Sequence, residues 1–348
     1  MSKINPYEFI PLPEKVYYPD QKLPYHYQYD VNLNTGYIEY SFKNESHLII
    51  GDGKSGERKE KIEEFFLIND IPVIPGSSMR GKVRVNAEIL SCAYPRFIDD
   101  TPNERHKTNP QAEIEKMLGE RKNYDCVDLL FGFVESDFEI ESKDSYKGRI
   151  SFLDAKCSSD INEGSYFITK RMKLLSPQSE ANSYYQKSGE LKGAYKYYPA
   201  HSHNKNLKTA TTMRSGNKDE NMENRLKLLK PNKKFTGKIF FENLTDFELG
   251  LLLTSLQYDK DIIDSVGMGK SIGYGKIKMI ELKLYLDDEN RFKDLDYSTS
   301  NCSGQIEALK KGFVEDMKRN YAGDYDKVVE AYKKSKYKSS SQRKHVPK

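Results

Sequence analysis

Residues 71–93 constrain the fold more than any other stretch of the chain. The run Ile-Pro-Val-Ile-Pro-Gly-Ser-Ser-Met-Arg-Gly-Lys-Val-Arg opens with a short apolar segment that ends at Pro75. Gly76 supplies a turn position without steric restriction, and Ser77 or Ser78 offers an N-cap for the helix that must follow. Met79, Val83, Ala87 and Leu90 recur at spacings of four, four and three, so one helical face is apolar. Arg80, Lys82 and Arg84 lie on or beside the first turns. A helix N-terminus offers unpaired N–H groups and the positive end of a dipole, and serine hydroxyls with nearby cations add donors for a phosphate. The local pattern alone equally suits an ordinary capped helix with a solvated basic face. The rest of the chain has to decide.

The 348 residues fit one large domain or two smaller ones, with enough chain to bury a sizeable core. A charged fraction of 31% and a mean hydropathy of -0.78 indicate a soluble chain. The net charge of +4 permits a nucleic-acid partner without requiring one. The 25 Tyr and 16 Phe supply flat faces on which bases can stack. Cys92, Cys126, Cys157 and Cys302 show no paired metal spacing, no charged-then-apolar signal opens the chain, and no apolar run spans a bilayer. A reduced, cytoplasmic setting is the expectation.

In chain order, residues 1–35 read as an extended leader rich in Pro and Tyr. Alternation from Gly36, resuming at His47 and ending at Gly-Asp-Gly 51–53, predicts one bulged strand. Residues 54–63 read as a charged loop, and Phe65 to Ile74 as strand-like sequence ahead of the basic helix. Residues 99–122 read as a polar loop, 124–134 as a short helix, and 147–154 as a second core strand. Residues 156–230 show no strong period; a structureless loop of that length is unusual, so they read as an insertion with local structure and a role of its own. Lys233 to Leu244 predicts a strand, and Thr245 or Asp246 then caps a helix that is apolar on most sides. A last strand follows Gly275, and 288–348 reads as peripheral helices with a basic, disordered tail. The order strand, helix, strand, strand, helix, strand predicts an α+β, ferredoxin-like βαββαβ domain over 36–287, the plan of an RNA-recognition fold.

Between the apolar helix and the last strand stands Gly-Met-Gly-Lys-Ser-Ile-Gly-Tyr-Gly, residues 267–275. It is no Walker loop: Asp264 stands where the first glycine belongs, and the segment leads into a strand. A dinucleotide fingerprint would open a helix, which this does not. What remains is a helix-to-strand loop in which Gly267, Gly269 and Gly273 let backbone amides approach a ligand, with Lys270, Ser271 and Tyr274 at hand.

Ile74 to Arg84 together with Gly267 to Gly275 resembles the RAMP superfamily of CRISPR-associated proteins. More narrowly, the leader Asn-Pro-Tyr-Glu-Phe-Ile-Pro-Leu-Pro, the Glu-Ile-Leu-Ser that follows the central motif, and Phe-Thr-Gly-Lys-Ile-Phe-Phe-Glu-Asn-Leu-Thr resemble a RAMP family of type III loci, over roughly residues 5–285. The resemblance implies a ferredoxin-like palm and a backbone subunit that holds guide RNA in a ribonucleoprotein effector, beside neighbouring RAMP subunits and the complementary target RNA. It lays Ser77, Ser78, Arg80, Lys82, Arg84 and the glycine-rich loop with Lys270 against the RNA backbone, and makes 156–230 a thumb-like insertion across the guide–target duplex. Active subunits of this kind use an Asp in a loop before the central motif to support metal-dependent cleavage. Glu64 occupies a similar place here and Asp52 lies earlier in the same loop, so Mg²⁺ enters only with catalysis. The departure from Asp leaves a non-cleaving role open. Two other readings stand beside this one: a metal-independent guide-processing endoribonuclease using His47, His201 or His203, and a non-catalytic interaction protein of the same fold.

Overall fold

The computed structural model describes residues 8–20, 29–54, 62–95, 110–119, 121, 123–134, 145–170, 172–173, 194–198, 223–287 and 299–336. Its main elements are β1 (Asn34–Asn44), β2 (Ile71–Ile74), α1 (Gly76–Leu90), α2 (Pro110–Leu118), α3 (Cys126–Phe131), β3 (Ile150–Phe152), β4 (Ala155–Cys157) and β5 (Glu223–Leu229). They continue with β6 (Lys234–Leu244), α4 (Asp246–Leu256), β7 (Asp264–Ser265), β8 (Lys276–Leu286), α5 (Ile306–Asn320) and α6 (Tyr325–Lys336).

Alternation builds the centre of the molecule. Ile38, Tyr40 and Phe42 of β1 and Phe235, Ile239 and Phe241 of β6 are all buried on one face, where Phe42 stacks on Phe235 at 5.4 Å. The strands lie in the order β7–β8–β1–β6–β4–β2, each antiparallel to its neighbour, and β3 also pairs with β6. The architecture is therefore α+β around one antiparallel sheet. The apolar face carries α4, whose Leu249, Leu251, Leu252, Leu253 and Leu256 are buried on every side because α1, α5 and β6 all pack against it. Thr245 is its N-cap, in a capping box with Glu248. Glu248 also pairs with the buried Arg149, whose Nε donates to Leu129 O at 3.0 Å, tying α4 to α3.

The structure revises four expectations. The C-terminal helices are not peripheral: Ile306, Phe313, Met317, Val329 and Tyr332 are buried, and Tyr325 Oη donates to Leu90 O at 2.8 Å. A Cβ on Gly250 would meet Leu309 O at 2.5 Å, so α4 and α5 touch almost backbone to backbone. The polar stretch 99–122 contains α2, because Gln, Ala, Glu, Lys, Met and Leu are strong helix formers and Pro110 starts a helix without cost. The insertion 156–230 contains β5, with Leu226, Leu228 and Leu229 in the core. That strand pairs with Tyr166–Ile168 and Met172–Lys173, runs parallel to Ile62–Glu63, and exchanges backbone hydrogen bonds between Leu229 and Leu48. Finally, the leader joins the fold, since Glu8–Pro11 pairs antiparallel with Ala194–Tyr197 and buries Ile10. Among the described residues no helix is long and apolar enough to cross a membrane.

Candidate nucleic-acid interface

Helix α1 starts two residues earlier than a cap at Ser77 would place it. Pro75 is the N-cap and no side chain caps it. The Gly76 N–H instead donates to Asp154 Oδ1 at 2.8 Å, and Ser78 and Met79 donate to Pro75 O. The N-cap expected at Ser77 or Ser78 is thus replaced by a carboxylate from the β3–β4 turn, which also suits the dipole. Gly76 is needed there because a Cβ would meet Phe152 O at 2.1 Å. Ser77 is exposed and Ser78 partly so, on the first turn.

The basic residues of α1 divide between two faces, as residues two apart on a helix must. Arg80 donates to Phe131 O and lies 5.6 Å from the Phe131 ring, with Arg84 at 5.9 Å from the same ring. Lys82 faces the other way and forms a buried ion pair with Asp264 of β7 at 2.7 Å. Asp264 also accepts from Asn86 Nδ2 at 3.0 Å and from Lys336 Nζ at 2.5 Å, and Lys336 donates to Asn86 Oδ1 at 3.0 Å. Burial raises the Asp264 pKa, but Lys336 and Lys82 outweigh it and hold the carboxyl well below the usual carboxylate range. Burial also lowers Lys82, against the pull of Asp264. Lys270 is lowered by burial and by Lys336, and raised by the same Asp264. Three ammonium groups from α1, α6 and the glycine-rich loop therefore share the field of one carboxylate.

The glycines of that loop are structural requirements. Gly267, Gly269, Gly273 and Gly275 all have positive φ, and a Cβ on Gly267 or Gly275 would fall within 2.2 Å of Ile49 O or 2.0 Å of Val266 O. Met268 N–H donates to Ile49 O and Gly275 N–H to His47 O, so the loop lies along residues 47–50. Ile272, Gly273 and Tyr274 close a tight turn on Gly269 and Lys270. The amides of Met268 and of Ile272 to Gly275 are thus used within the fold. Tyr274 lies 6.1 Å from His47, whose pKa burial and Lys230 lower. His201 and His203 lie outside the described residues.

A family model for the RAMP superfamily matches residues 41–278, more than half of the chain. The chain belongs to the RAMP superfamily. The matched span of this RAMP protein runs from β1 to β8 and includes both motifs. Membership makes it, in general terms, a CRISPR-associated RNA-binding subunit. The comparison with curated proteins returns no match.

In this RAMP chain the two candidate acids are neighbours. The Asp52 N–H donates to Glu64 O at 3.2 Å, and both side chains are partly exposed. Asp52 Oδ1 accepts from the Lys54 N–H at 3.1 Å, and Glu64 lies 3.9 Å from Lys227. Next to Glu64 in sequence, Glu63 is buried and accepts from the Gly53 N–H at 2.9 Å. Sequence reasoning missed Glu63, Asp154, Asp264 and Lys336. Asp264 had one usable signal, a lone acid three residues ahead of a glycine-rich basic loop; the other three depend on contacts that no local pattern encodes.

Proposed function

We propose that the chain is the guide-RNA-binding backbone subunit of a type III CRISPR ribonucleoprotein effector. The buried ion pair of Lys82 with Asp264 carries this reading, because it ties the basic helix to the residue three positions ahead of the glycine-rich loop. Ser77, Ser78, Arg80, Ser271 and Tyr274 then supply donors and a ring along the RNA backbone, while Lys82 acts as an internal brace and Arg84 lies buried over the Phe131 ring. The order β8–β1–β6–β3, with α1 after β1 and α4 after β6, supports a ferredoxin-like palm over 36–287. Residues 156–230 are the insertion reaching toward the guide–target duplex.

Cleavage of the target is the finer part of the proposal and rests on Asp52 and Glu64. Mg²⁺ takes one or two carboxylates together with water and phosphate oxygens, and two partly exposed acids on hydrogen-bonded segments fit that donor set. Among the described residues no group of three or more His, Cys, Asp or Glu forms a resident cage. An ion held there would neutralise charge at the scissile phosphate. The test is to purify the chain with its neighbouring subunits, extract bound nucleic acid, and add complementary RNA with and without Mg²⁺. Recovered guide RNA supports the backbone role, and regularly spaced, metal-dependent cuts lost in Asp52→Ala or Glu64→Ala support catalysis. Guide RNA without cuts leaves a structural subunit, and no RNA overturns the reading.

A further inference from the structure

The solvent face of the three central strands is ordered in rows. Phe240 of β6, Tyr37 of β1 and Tyr285 of β8 are direct cross-strand partners, forming one aromatic row across the sheet. Tyr37 stacks on Tyr285 at 4.7 Å and lies 5.8 Å from Phe240, which is 42% exposed. The next row is Lys238, Glu39 and Lys283, then comes Thr236, Ser41 and Glu281, and the last, six residues along β1 from Tyr37, is Lys234, Lys43 and Lys278. Lys238 Nζ stands 4.0 Å over the Tyr37 ring. Between the rows lies a depression of about 500 Å³ bordered by Lys156, Lys234, Lys238 and Lys283 and by the carboxylates of Glu39, Asp154 and Glu281. Lys238 pairs with Glu39, Lys43 with Glu45, Lys278 with Asp261 and Lys283 with Glu281, so the cations of this face without an ion pair among the described residues are Lys156 and Lys234.

We infer that this face binds a single-stranded RNA segment, with a base stacked on Phe240 and the phosphates running over the lysines. This rests on the RNA-binding reading above and extends it to the side of the sheet opposite α4. Protein interfaces are depleted in Lys at their centre. A basic track beside exposed aromatic rings is instead the composition of a single-strand site, where every base offers a π-face and the lysines follow the backbone. The rows span about 20 Å, room for several nucleotides. The path is continuous with the glycine-rich loop, because Lys278 stands three residues after Gly275 on the same strand.

The chain has no Trp, so Phe240→Trp creates a single reporter on this face, and Met117→Trp, on exposed α2, serves as its control. The full-length protein is titrated with a 20-nucleotide oligouridine while emission and anisotropy are followed. Saturable quenching in F240W and none in M117W is expected. Phe240→Ala should weaken binding by about tenfold, and a Lys156→Ala, Lys234→Ala pair should flatten its salt dependence. RNA binding with unquenched F240W and wild-type affinity in Phe240→Ala overturns the face while leaving the proposed function standing. Failure of the wild type to bind oligouridine, with guide RNA still recovered from the assembly, does the same; failure of both removes the RNA-binding reading too. A blue shift that grows with protein concentration and needs no RNA assigns the face to contacts between copies and overturns the inference.

Discussion

Lys82 Nζ stands 2.7 Å from Asp264 Oδ2 with both side chains only 6% exposed, so the cation at the centre of the basic helix motif is an internal one. The motif therefore works in two parts, a brace facing β7 and α6 and a donor surface elsewhere on the helix.

Asp264→Asn removes the shared counter-charge of Lys82 and Lys336 and should cost about 3–5 kcal/mol, because buried cations are left uncompensated. Urea unfolding measures it. The sign with pH follows from a folded carboxyl held below its unfolded value: its stabilisation is complete above about pH 4 and is lost as pH falls below that. The gap between wild type and Asp264→Asn should thus close during acid titration; a gap that persists to the acid limit contradicts the ionised brace.

Arg80→Ala and Lys82→Ala should separate binding from folding. Arg80 lies on a partly exposed face over Phe131, so its loss should reduce the salt slope of RNA binding by about one. Lys82→Ala should lower Tm with the slope unchanged. Equal slopes for Arg80→Ala and wild type would remove Arg80 from the phosphate contacts.

Two glycines should respond in opposite directions. Gly275 has φ +76 and no room for a Cβ, so Gly275→Ala should destabilise by about 1–3 kcal/mol or more. Gly81 lies inside α1 with nothing within 4 Å of an added Cβ, and Ala there should stabilise by about 0.5–1 kcal/mol. The fold gives no reason for a glycine at 81, so Gly81→Ala should melt higher yet bind RNA more weakly, as a backbone approached by a ligand would. Unchanged affinity in anisotropy would assign that position no ligand.

Asp52→Ala and Glu64→Ala should leave stability within about 0.5 kcal/mol, since both acids are partly exposed. Thermal melts check that. Any Mg²⁺-dependent cutting by the assembly should disappear in at least one of them, and cutting that survives both would place the chemistry elsewhere.

The elements with strong local patterns were legible in the sequence. Met79, Val83, Ala87 and Leu90 announce α1, and Thr245 with Glu248 announces the start of α4. The cap of α1 was not legible, because Asp154 arrives from a turn 78 residues away in the chain. Nor was the burial of α5 and α6, although Phe313 and Met317 recur at helical spacing, since periodicity states that a face is apolar without stating what covers it. The motifs at 74–84 and 267–275 were visible as basic and glycine-rich. That Lys82 belongs inside and Arg80 toward the surface is decided by Asp264 and Phe131, both tertiary partners.

The contact of Lys336 with Asp264 means that kinship and cooperativity have different boundaries in this chain. The span shared with the family closes at residue 278, yet the brace on α1 is completed 58 residues later, and one side of α4 is covered by α5, which also lies beyond that span. A fragment trimmed to the shared span would keep the basic helix motif and the glycine-rich loop and lose the parts that let them melt as one body. Packing against the core continues to Tyr332 and Lys336 of α6.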